Sequence, residues 1–260
     1  MQITIGDNVQ ADAFTSLFQH IKIFTEQINI TFEKDRLYVQ SMDSAHVVIF
    51  EINLDKSWFT EYNFSSSNEE IIIGINALIL AKVLQTRDKG QNISLSLDVD
   101  TDDKLNVVFT GNEKEFDKHF QLSLIDIESE QLQIPEFNHN IGLSMPSGKF
   151  SSIIQQLQIF GDTMEFKCAN DIVTASSLSP ENGKLDVIID KAFIKSSTLD
   201  NNDTLNIGFS LNRLHDIASY SKIAKEVNIF LTDCYPIKVE YSVGNGKGSM
   251  IFFLAPRIDD

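Results

Sequence analysis

The chain contains an internal repeat. When the sequence is shifted against itself by one constant number of residues, its first part aligns with its second part without a gap, and a slightly smaller shift aligns the segments further along. The first shift places one apolar run on another: Phe14, Leu17, Phe18, Ile21 and Phe24 fall on Phe150, Ile153, Ile154, Leu157 and Phe160. The second shift does the same for an alternating run: Ile93, Leu95 and Leu97 fall on Val227, Ile229 and Leu231. A repeat of this kind decides architecture before any local feature, so we expect two similar halves.

Within each half the pattern predicts a helix, strands, a second helix and more strands. The apolar residues of segment 11–24 recur at i, i+3, i+4 and i+7, which is typical of an amphipathic helix. The other predicted helices are 75–87, 146–159 and 210–222, for which we expect Asn76 and Ser147 as N-caps and Gly90 in a turn. Alternating apolar residues predict strands at 28–32, 37–40, 93–97, 105–109, 239–243 and 250–254. The expected fold is α+β, with two similar domains of antiparallel sheets and two helices each.

Residues 118–136 connect the two halves. Acids, spaced apolar residues and Pro135 alternate here without helical or clean strand periodicity, so we interpret the segment as an edge strand that runs into an extended loop. The expected organisation is an N-terminal domain over 1–117, a connecting loop over 118–136 and a C-terminal domain over 137–260. Residues 114–124 and 184–189 are both interpreted as edge strands, whose unpaired backbone groups can pair with another chain.

Charge is distributed unevenly along the chain. The 21 Lys and Arg against 37 Asp and Glu leave a net charge of −16, which taken alone argues against nucleic acid. The predicted helices reverse the sign, because they contain only two acids, Asp12 and Asp216. Their six cations are Lys22, Lys82, Arg87, Lys149, Arg213 and Lys222. We interpret the helices as one surface that faces a polyanion such as duplex DNA; chance scarcity of acids on short helices is the alternative.

Several classes of function lack their sequence motifs. No GxxxxGK[ST] or GxGxxG opens a helix, and neither HExxH nor GxSxG occurs. The acidic run 98–102 resembles the start of a calcium loop, but Phe109 stands where such a loop needs its closing Glu, so a solvated turn is favoured. We therefore expect no enzymatic activity, no cofactor and no metal.

Composition also bears on the compartment. The chain has no apolar run long enough to span a membrane and no signal-like N-terminus, so we expect no membrane span and no secretion. Cys168 and Cys234 form no CxxC pair, and both are interpreted as reduced thiols within strands of an intracellular protein.

Five stretches of the sequence resemble the proliferating cell nuclear antigen family in order and spacing. The most specific is LYVQSMDSAHVVIF at residues 37–50, which is similar to the family signature LxxQSMDSSHV. The others are LIDIESEQLQIPE at 124–136, MPSGKF at 145–150, YPIKVEY at 235–241 and LAPRID at 254–259. Together they cover nearly the whole chain.

The resemblance implies a DNA sliding clamp, that is, a head-to-tail homotrimeric ring with helices around the hole and sheets outside. It implies double-stranded DNA, a DNA polymerase, a clamp loader and other clients with a clamp-binding peptide as partners. It also implies a peptide pocket under the connecting loop, at the positions Met42, His46, Val47, Leu132, Ile134, Pro135, Pro236, Phe253, Leu254, Ala255, Pro256 and Ile258. A monomeric processivity factor and a subunit of a heterotrimeric checkpoint clamp are the alternatives.

The sequence departs from the family in two respects. The lysines that carry modifications in relatives fall at Asn170 and Gln133, so we do not expect signalling through those positions. Several helix positions that are basic in relatives are uncharged here, so we expect a less positive hole: Thr15, Ser16, Gln85, Ser152 and Gln155. These departures suggest a divergent lineage, viral or protist. The expected location is the nucleus, or the viral replication site if the chain is encoded by a virus.

Overall fold

A computed structural model describes residues 1–66, 68–97, 103–111, 116–128, 131–135, 138–169, 172–199 and 204–257. The first half contains β1 (Gln2–Ile5), α1 (Asn8–Ile21), β2 (Gln27–Glu33), β3 (Arg36–Met42), β4 (Val48–Asp55), β5 (Glu61–Asn63), β6 (Glu70–Asn76), α2 (Ala77–Gln85), β7 (Asn92–Ser96), β8 (Lys104–Thr110) and β9 (Lys118–Ser123). The second half contains β10 (Ile141–Pro146), α3 (Ser147–Leu157), β11 (Thr163–Ala169), β12 (Ile172–Ser179), β13 (Gly183–Ile189), β14 (Ile194–Ser197), β15 (Leu205–Ser210), α4 (Leu211–Ala218), β16 (Glu226–Leu231), β17 (Ile237–Val243) and β18 (Gly248–Leu254).

The repeat seen in the sequence is confirmed by the strand order. The first half has the orders β5-β1-β7-β8-β9 and β4-β3-β2-β6, and the second half has β14-β10-β16-β17-β18 and β13-β12-β11-β15. The register repeats as well: Ile30 of β2 is paired with Ile73 of β6, and their repeat counterparts Phe166 and Ile207 are paired in β11 and β15. The predicted α+β fold with antiparallel sheets is therefore confirmed.

The helices begin at different residues from those predicted. Helix α1 begins earlier than predicted, at Asn8, because the Asp7 carboxylate accepts the Gln10 backbone N–H at 2.9 Å. Asn76 is confirmed as the N-cap of α2, with its side-chain oxygen 3.0 Å from Ile79 N. The cap predicted at Ser147 is wrong, because Ser147 is the first residue of α3 and its hydroxyl donates to the carbonyls of Ser221 and Ala224 instead.

By internal contacts the chain divides into two units. The first unit comprises Met1–Ser44, Phe50–Leu132 and Ser242–Met250. In it, α1 and α2 contact each other, and α1 also contacts β1 and β7. Aromatic rings fill the space beneath α1, with the Phe14 centroid 4.6 Å from that of Phe18 and 6.1 Å from that of Trp58. Gly244 is required at this core, because a Cβ there would lie 2.1 Å from Trp58 Nε1.

The second unit comprises Ala45–Ile49, Gln133–Tyr241 and Ile251–Asp260. Here α3 and α4 contact each other, and α3 contacts β10 and β16. The core includes Tyr220 and Phe252, whose ring centroids are 5.1 Å apart. Cys168 is buried in β11 and Cys234 is exposed, and neither forms a disulfide. Cys234 lies in a turn with φ of 61° between β16 and β17, so the strand predicted for it is wrong.

Both predicted edge strands are confirmed, although the first begins at Lys118 rather than at residue 114, and residues 114 and 115 lie outside the described part of the chain. Strand β9 is the last strand of its sheet order and pairs with β8, and β13 is the last of its order and pairs with β12. The segment after β9 has one isolated bridge, Ile125 to Gly74, and no further regular structure among its described residues, as predicted for an extended loop. In the described part of the chain, no helix has the length and apolar character needed to cross a membrane.

Candidate functional site

The cations predicted to face DNA lie on or beside the helices. Lys22 is the C-cap residue of α1 and is exposed, and Lys82 is exposed on α2. In the second unit Lys149 is exposed on α3, with Nζ 5.0 Å from the centre of the Phe193 ring, and Lys222 is exposed at the end of the 3₁₀ turn that follows α4. Arg213 on α4 is partly exposed and lies 3.6 Å from the Asp216 carboxylate.

Arg87 occupies a different position from the other predicted cations. It follows the C-cap of α2, and its side chain is only 3% exposed. Its guanidinium donates to the Asp12 carboxylate at 2.7 Å and to the Gln91 carbonyl at 2.8 Å. The sequence prediction treated Arg87 as a surface cation, and the structure instead uses it to hold the end of α2 to α1.

The connecting loop is fixed at its start by contacts with β6 and β2. Ile125 N donates to Gly74 O at 2.9 Å, and Asn29 Nδ2 donates to Ile127 O at 3.2 Å. The loop passes so close to β6 that a Cβ at Gly74 would lie 2.2 Å from Ile125 O. Glycine at this position is therefore a condition for the observed path of the loop.

A second set of contacts holds the loop at Leu132. The Gln40 side chain accepts from Leu132 N at 2.7 Å and donates to Leu132 O at 2.9 Å. Glu51 Oε1 accepts from Gln40 Nε2 at 3.0 Å and from the Tyr38 hydroxyl at 2.5 Å. Burial and the neighbouring Glu51 carboxylate raise the pKa of the Tyr38 phenol, so it remains a donor to Glu51. Sequence reasoning missed Tyr38 and Glu51, since nothing local marks them as partners of a loop that lies far away along the chain.

A cavity of about 500 Å³ lies in the first unit between this loop and the outer face of β2, β3 and β6. Its lining includes Met42 and Leu132, two of the predicted pocket residues, together with Ile72 and Ile127. The remaining lining residues are mostly polar: Gln27, Ile28, Asn29, Thr31, Tyr38, Gln40, Ser41, Glu70 and Gln131. Apolar walls with several amide groups suit an extended peptide, which presents both apolar side chains and backbone polar groups.

The other predicted pocket positions are in the second unit. Val47 is 37% exposed, and its carbonyl accepts from Ala255 N at 2.9 Å. His46 is exposed with φ of 59°, whereas Leu254 is 1% exposed and contributes its side chain to the core. Ile134, Pro236, Phe253 and Pro256 are partly exposed and Pro135 is exposed. Ile258 and Asn170 lie outside the described residues, as does the whole acidic run 98–102, and Gln133 is exposed.

Two sequence models of protein families match the chain over most of its length. Residues 7–132 match the model described as proliferating cell nuclear antigen, N-terminal domain. Residues 133–257 match the model of the C-terminal domain of the same family. Among curated proteins, the proliferating cell nuclear antigen of Chaetomium thermophilum is 28% identical over an alignment 260 positions long, which covers 96% of each chain. The chain therefore belongs to the proliferating cell nuclear antigen family and is a DNA sliding clamp, a subunit of a head-to-tail homotrimeric ring that binds duplex DNA, DNA polymerase and the clamp loader.

Proposed function

We propose that duplex DNA passes along the exposed faces of the helices and that Lys22, Lys82, Lys149, Arg213 and Lys222 contact its phosphates. The observation that carries this proposal is the local sign of the charge. The chain has a net charge of −16, yet the two acids on its helix segments both lie beside arginines: Asp12 at 2.7 Å from Arg87 and Asp216 at 3.6 Å from Arg213. Because both acids lie beside arginines, the exposed lysines of the helices remain as excess positive charge. This charge attracts phosphate, while the rest of the acidic chain repels it.

Charge reversal tests this assignment. In the quadruple variant Lys22→Glu, Lys82→Glu, Arg213→Glu and Lys222→Glu, we expect lower processivity of a loader-assisted polymerase and an unchanged trimer mass. The salt dependence of DNA binding should also weaken, by about 0.9 in logarithmic slope for each lost phosphate contact.

A matched control places the same change of charge elsewhere. Lys34, Lys56, Lys167 and Lys195 are exposed and lie outside the four helices. Their joint replacement by Glu alters net charge identically and should leave processivity near the wild-type value. Equal processivity in the two quadruple variants would mean that the helix cations are solvated surface and that DNA passes elsewhere.

We propose that client proteins insert a peptide segment into the cavity under the connecting loop, with Met42 and Leu132 among the residues it contacts. This is supported by the open apolar surface there: Ile72 is 55% exposed and Leu132 is 38% exposed. Burying such side chains stabilises a complex by about 25 cal/mol per Å² of apolar area. In this proposal residues 1–117 and 137–260 are the two clamp domains, and residues 118–136 form the loop.

For assembly, we propose that β9 of one subunit pairs with β13 of the next. Within the chain, β4 lies beside β18 in the strand order, with Asp55 N bonded to Lys247 O in the first unit and Ala255 N bonded to Val47 O in the second. In the repeat, β13 is the counterpart of β4 and β9 is the counterpart of β18, and β9 and β13 each lie at an edge of their sheet. Pairing them between subunits repeats an arrangement that the chain already makes, and different patches that meet head to tail can close a ring.

The mass in solution decides between this ring and other assemblies. Light scattering should give a single species of three chains. A single-chain mass would favour a monomeric processivity factor, and a trimer that forms only with other chains would favour a checkpoint-clamp subunit. We infer that the chain acts without catalysis of its own, and that it works in the nucleus, or at a viral replication site if it is encoded by a virus.

A further inference from the structure

The Gln40 side chain acts towards Leu132 as a neighbouring strand would. In a hydrogen-bonded pair of an antiparallel ladder, each residue gives one donor and one acceptor to its partner. The Gln40 amide gives the same pair to Leu132, at 2.9 and 2.7 Å. Leu132 lies in irregular structure, so its backbone groups find here the partners that a strand would have supplied.

Glu51 and Tyr38 determine which way the Gln40 amide points. Gln40 Nε2 has two hydrogens, and they go to Leu132 O and Glu51 Oε1. If the amide were turned over, its oxygen would face the Glu51 carboxylate and its NH₂ group would face the Leu132 N–H, so both contacts would be repulsive. Glu51 is itself fixed by the Tyr38 hydroxyl at 2.5 Å, and the Tyr38 ring lies 4.8 Å from the Arg36 guanidinium carbon. The orientation of the amide is therefore decided before any peptide arrives.

The two hydrogen bonds between Gln40 and Leu132 fix the loop at a second point beside the cavity. The loop is held at Ile125 and Ile127 on one side and at Leu132 on the other, and Ile127, Gln131 and Leu132 all line the cavity. A loop fixed at both ends retains the shape that a peptide needs, so less conformational entropy is lost on binding. An acidic loop held only at its start would lose that advantage.

We propose that Gln40 is a positioning residue for client peptides, which acts through Leu132 and is oriented by Glu51 and Tyr38. The inference rests on the proposed function of the cavity. It differs from that proposal because it concerns residues that set the shape of the site. It makes Tyr38 and Glu51 determinants of affinity through the hydrogen bonds that join Tyr38 to Glu51 and Glu51 to Gln40.

The variants separate the contacts of the network. Gln40→Met keeps the length of the side chain and removes both bonds to Leu132. Tyr38→Phe removes the hydroxyl that holds Glu51 and that also contacts the Gln131 side chain of the loop. Glu51→Gln keeps an oxygen that can accept from both neighbours. Gln27→Met is the matched control, because Gln27 also lines the cavity and none of the bonds that fix the loop uses its side chain.

Hydrogen exchange of the free protein and peptide binding are measured on the same samples. In Gln40→Met the Leu132 amide should exchange faster, while the amides of β2 and β3 keep wild-type protection; Gln27→Met should leave Leu132 protected. The peptide is a synthetic one with a Gln, an aliphatic residue and two adjacent aromatics. Calorimetry should show about tenfold weaker binding to Gln40→Met, a smaller loss for Tyr38→Phe, and near wild-type binding for Glu51→Gln.

The outcomes distinguish this inference from the proposal on which it rests. Wild-type affinity in Gln40→Met and Tyr38→Phe, with Leu132 deprotected in the former, would overturn the positioning role and leave the cavity as the client site. No binding to the wild-type protein, or undiminished binding in Met42→Ala, would overturn the client site itself. If Gln40→Met fails to fold, unchanged affinity and exchange in Tyr38→Phe would still refute the network.

Discussion

Replacement of Gly74 by alanine tests whether close packing fixes the connecting loop. The added Cβ would lie 2.2 Å from Ile125 O and 2.9 Å from Ile127 Cγ1, whereas ordinary contact begins at 3.4 Å. The loop would have to move by at least about 1.2 Å, which is the difference between 3.4 and 2.2 Å. A shift of that size breaks the bond from Ile125 N to Gly74 O and displaces Ile127 from the cavity wall.

The expected loss follows from these two changes. A broken backbone hydrogen bond costs about 1 kcal/mol, and overpacking costs about 1–3 kcal/mol. Alanine offsets part of this by restricting the unfolded chain, by about 0.4–1 kcal/mol. We therefore expect Gly74→Ala to lower the free energy of unfolding by about 1–3 kcal/mol.

The repeat provides the control. Gly208 is the counterpart of Gly74. Its carbonyl accepts a hydrogen bond from Arg257 N at 2.8 Å, and Arg257 follows β18 as Ile125 follows β9. A Cβ at Gly208 would meet only Thr163 Cγ2, at 3.3 Å, so Gly208→Ala should stay within about 0.5 kcal/mol of wild type. Urea denaturation at one fixed protein concentration compares the two variants, because the stability of a trimer depends on concentration. Equal stability of the two variants, with Ile125 still protected from exchange in Gly74→Ala, would refute the argument from packing.

Two further predictions concern assembly and pH. Proline at Leu122 of β9 or at Val187 of β13 should convert trimers into monomers that retain their circular dichroism, because it removes a backbone donor from an edge strand; light scattering that still finds three chains in both variants would contradict β9–β13 pairing. Burial raises the pKa of Tyr38, Tyr62, Tyr220 and Tyr241 above the ordinary 10.0, so the folded chain keeps protons that the unfolded chain loses. Their contribution to stability is complete below about pH 10 and declines above it, by up to about 1.4 kcal/mol per pH unit for each tyrosine. Tyr220→Phe should make this alkaline decline less steep, as urea denaturation at a series of alkaline pH values would show.

The sequence by itself determined the architecture, because the repeat and the two apolar periodicities are properties of neighbouring residues. The two shifts that align the first half with the second predicted two copies of one sheet pattern. The strand register agrees, since the pair Ile30 and Ile73 and the pair Phe166 and Ile207 occupy matching positions. The edge strands and the positive charge of the helix segments could also be predicted from the sequence, since both follow from the composition of a single segment. Helix starts were less predictable, because a cap depends on which polar group lies within reach: Asn76 caps α2, but the Ser147 hydroxyl bonds to Ser221 and Ala224, which follow α4 and are remote from Ser147 in the chain.

The tertiary structure alone decided the site. In the sequence, Arg87 cannot be distinguished from the other cations of the helix segments. Only the folded chain places it beside Asp12, with its side chain 3% exposed. Only the folded chain shows that the connecting loop passes over Gly74. Tyr38 and Glu51 acquire their role because β3 and β4 bring them beside Gln40 and hence Leu132. Periodicity records which face of an element is buried, but hydrogen bonds between side chains and a distant loop depend on distances that only the folded chain sets.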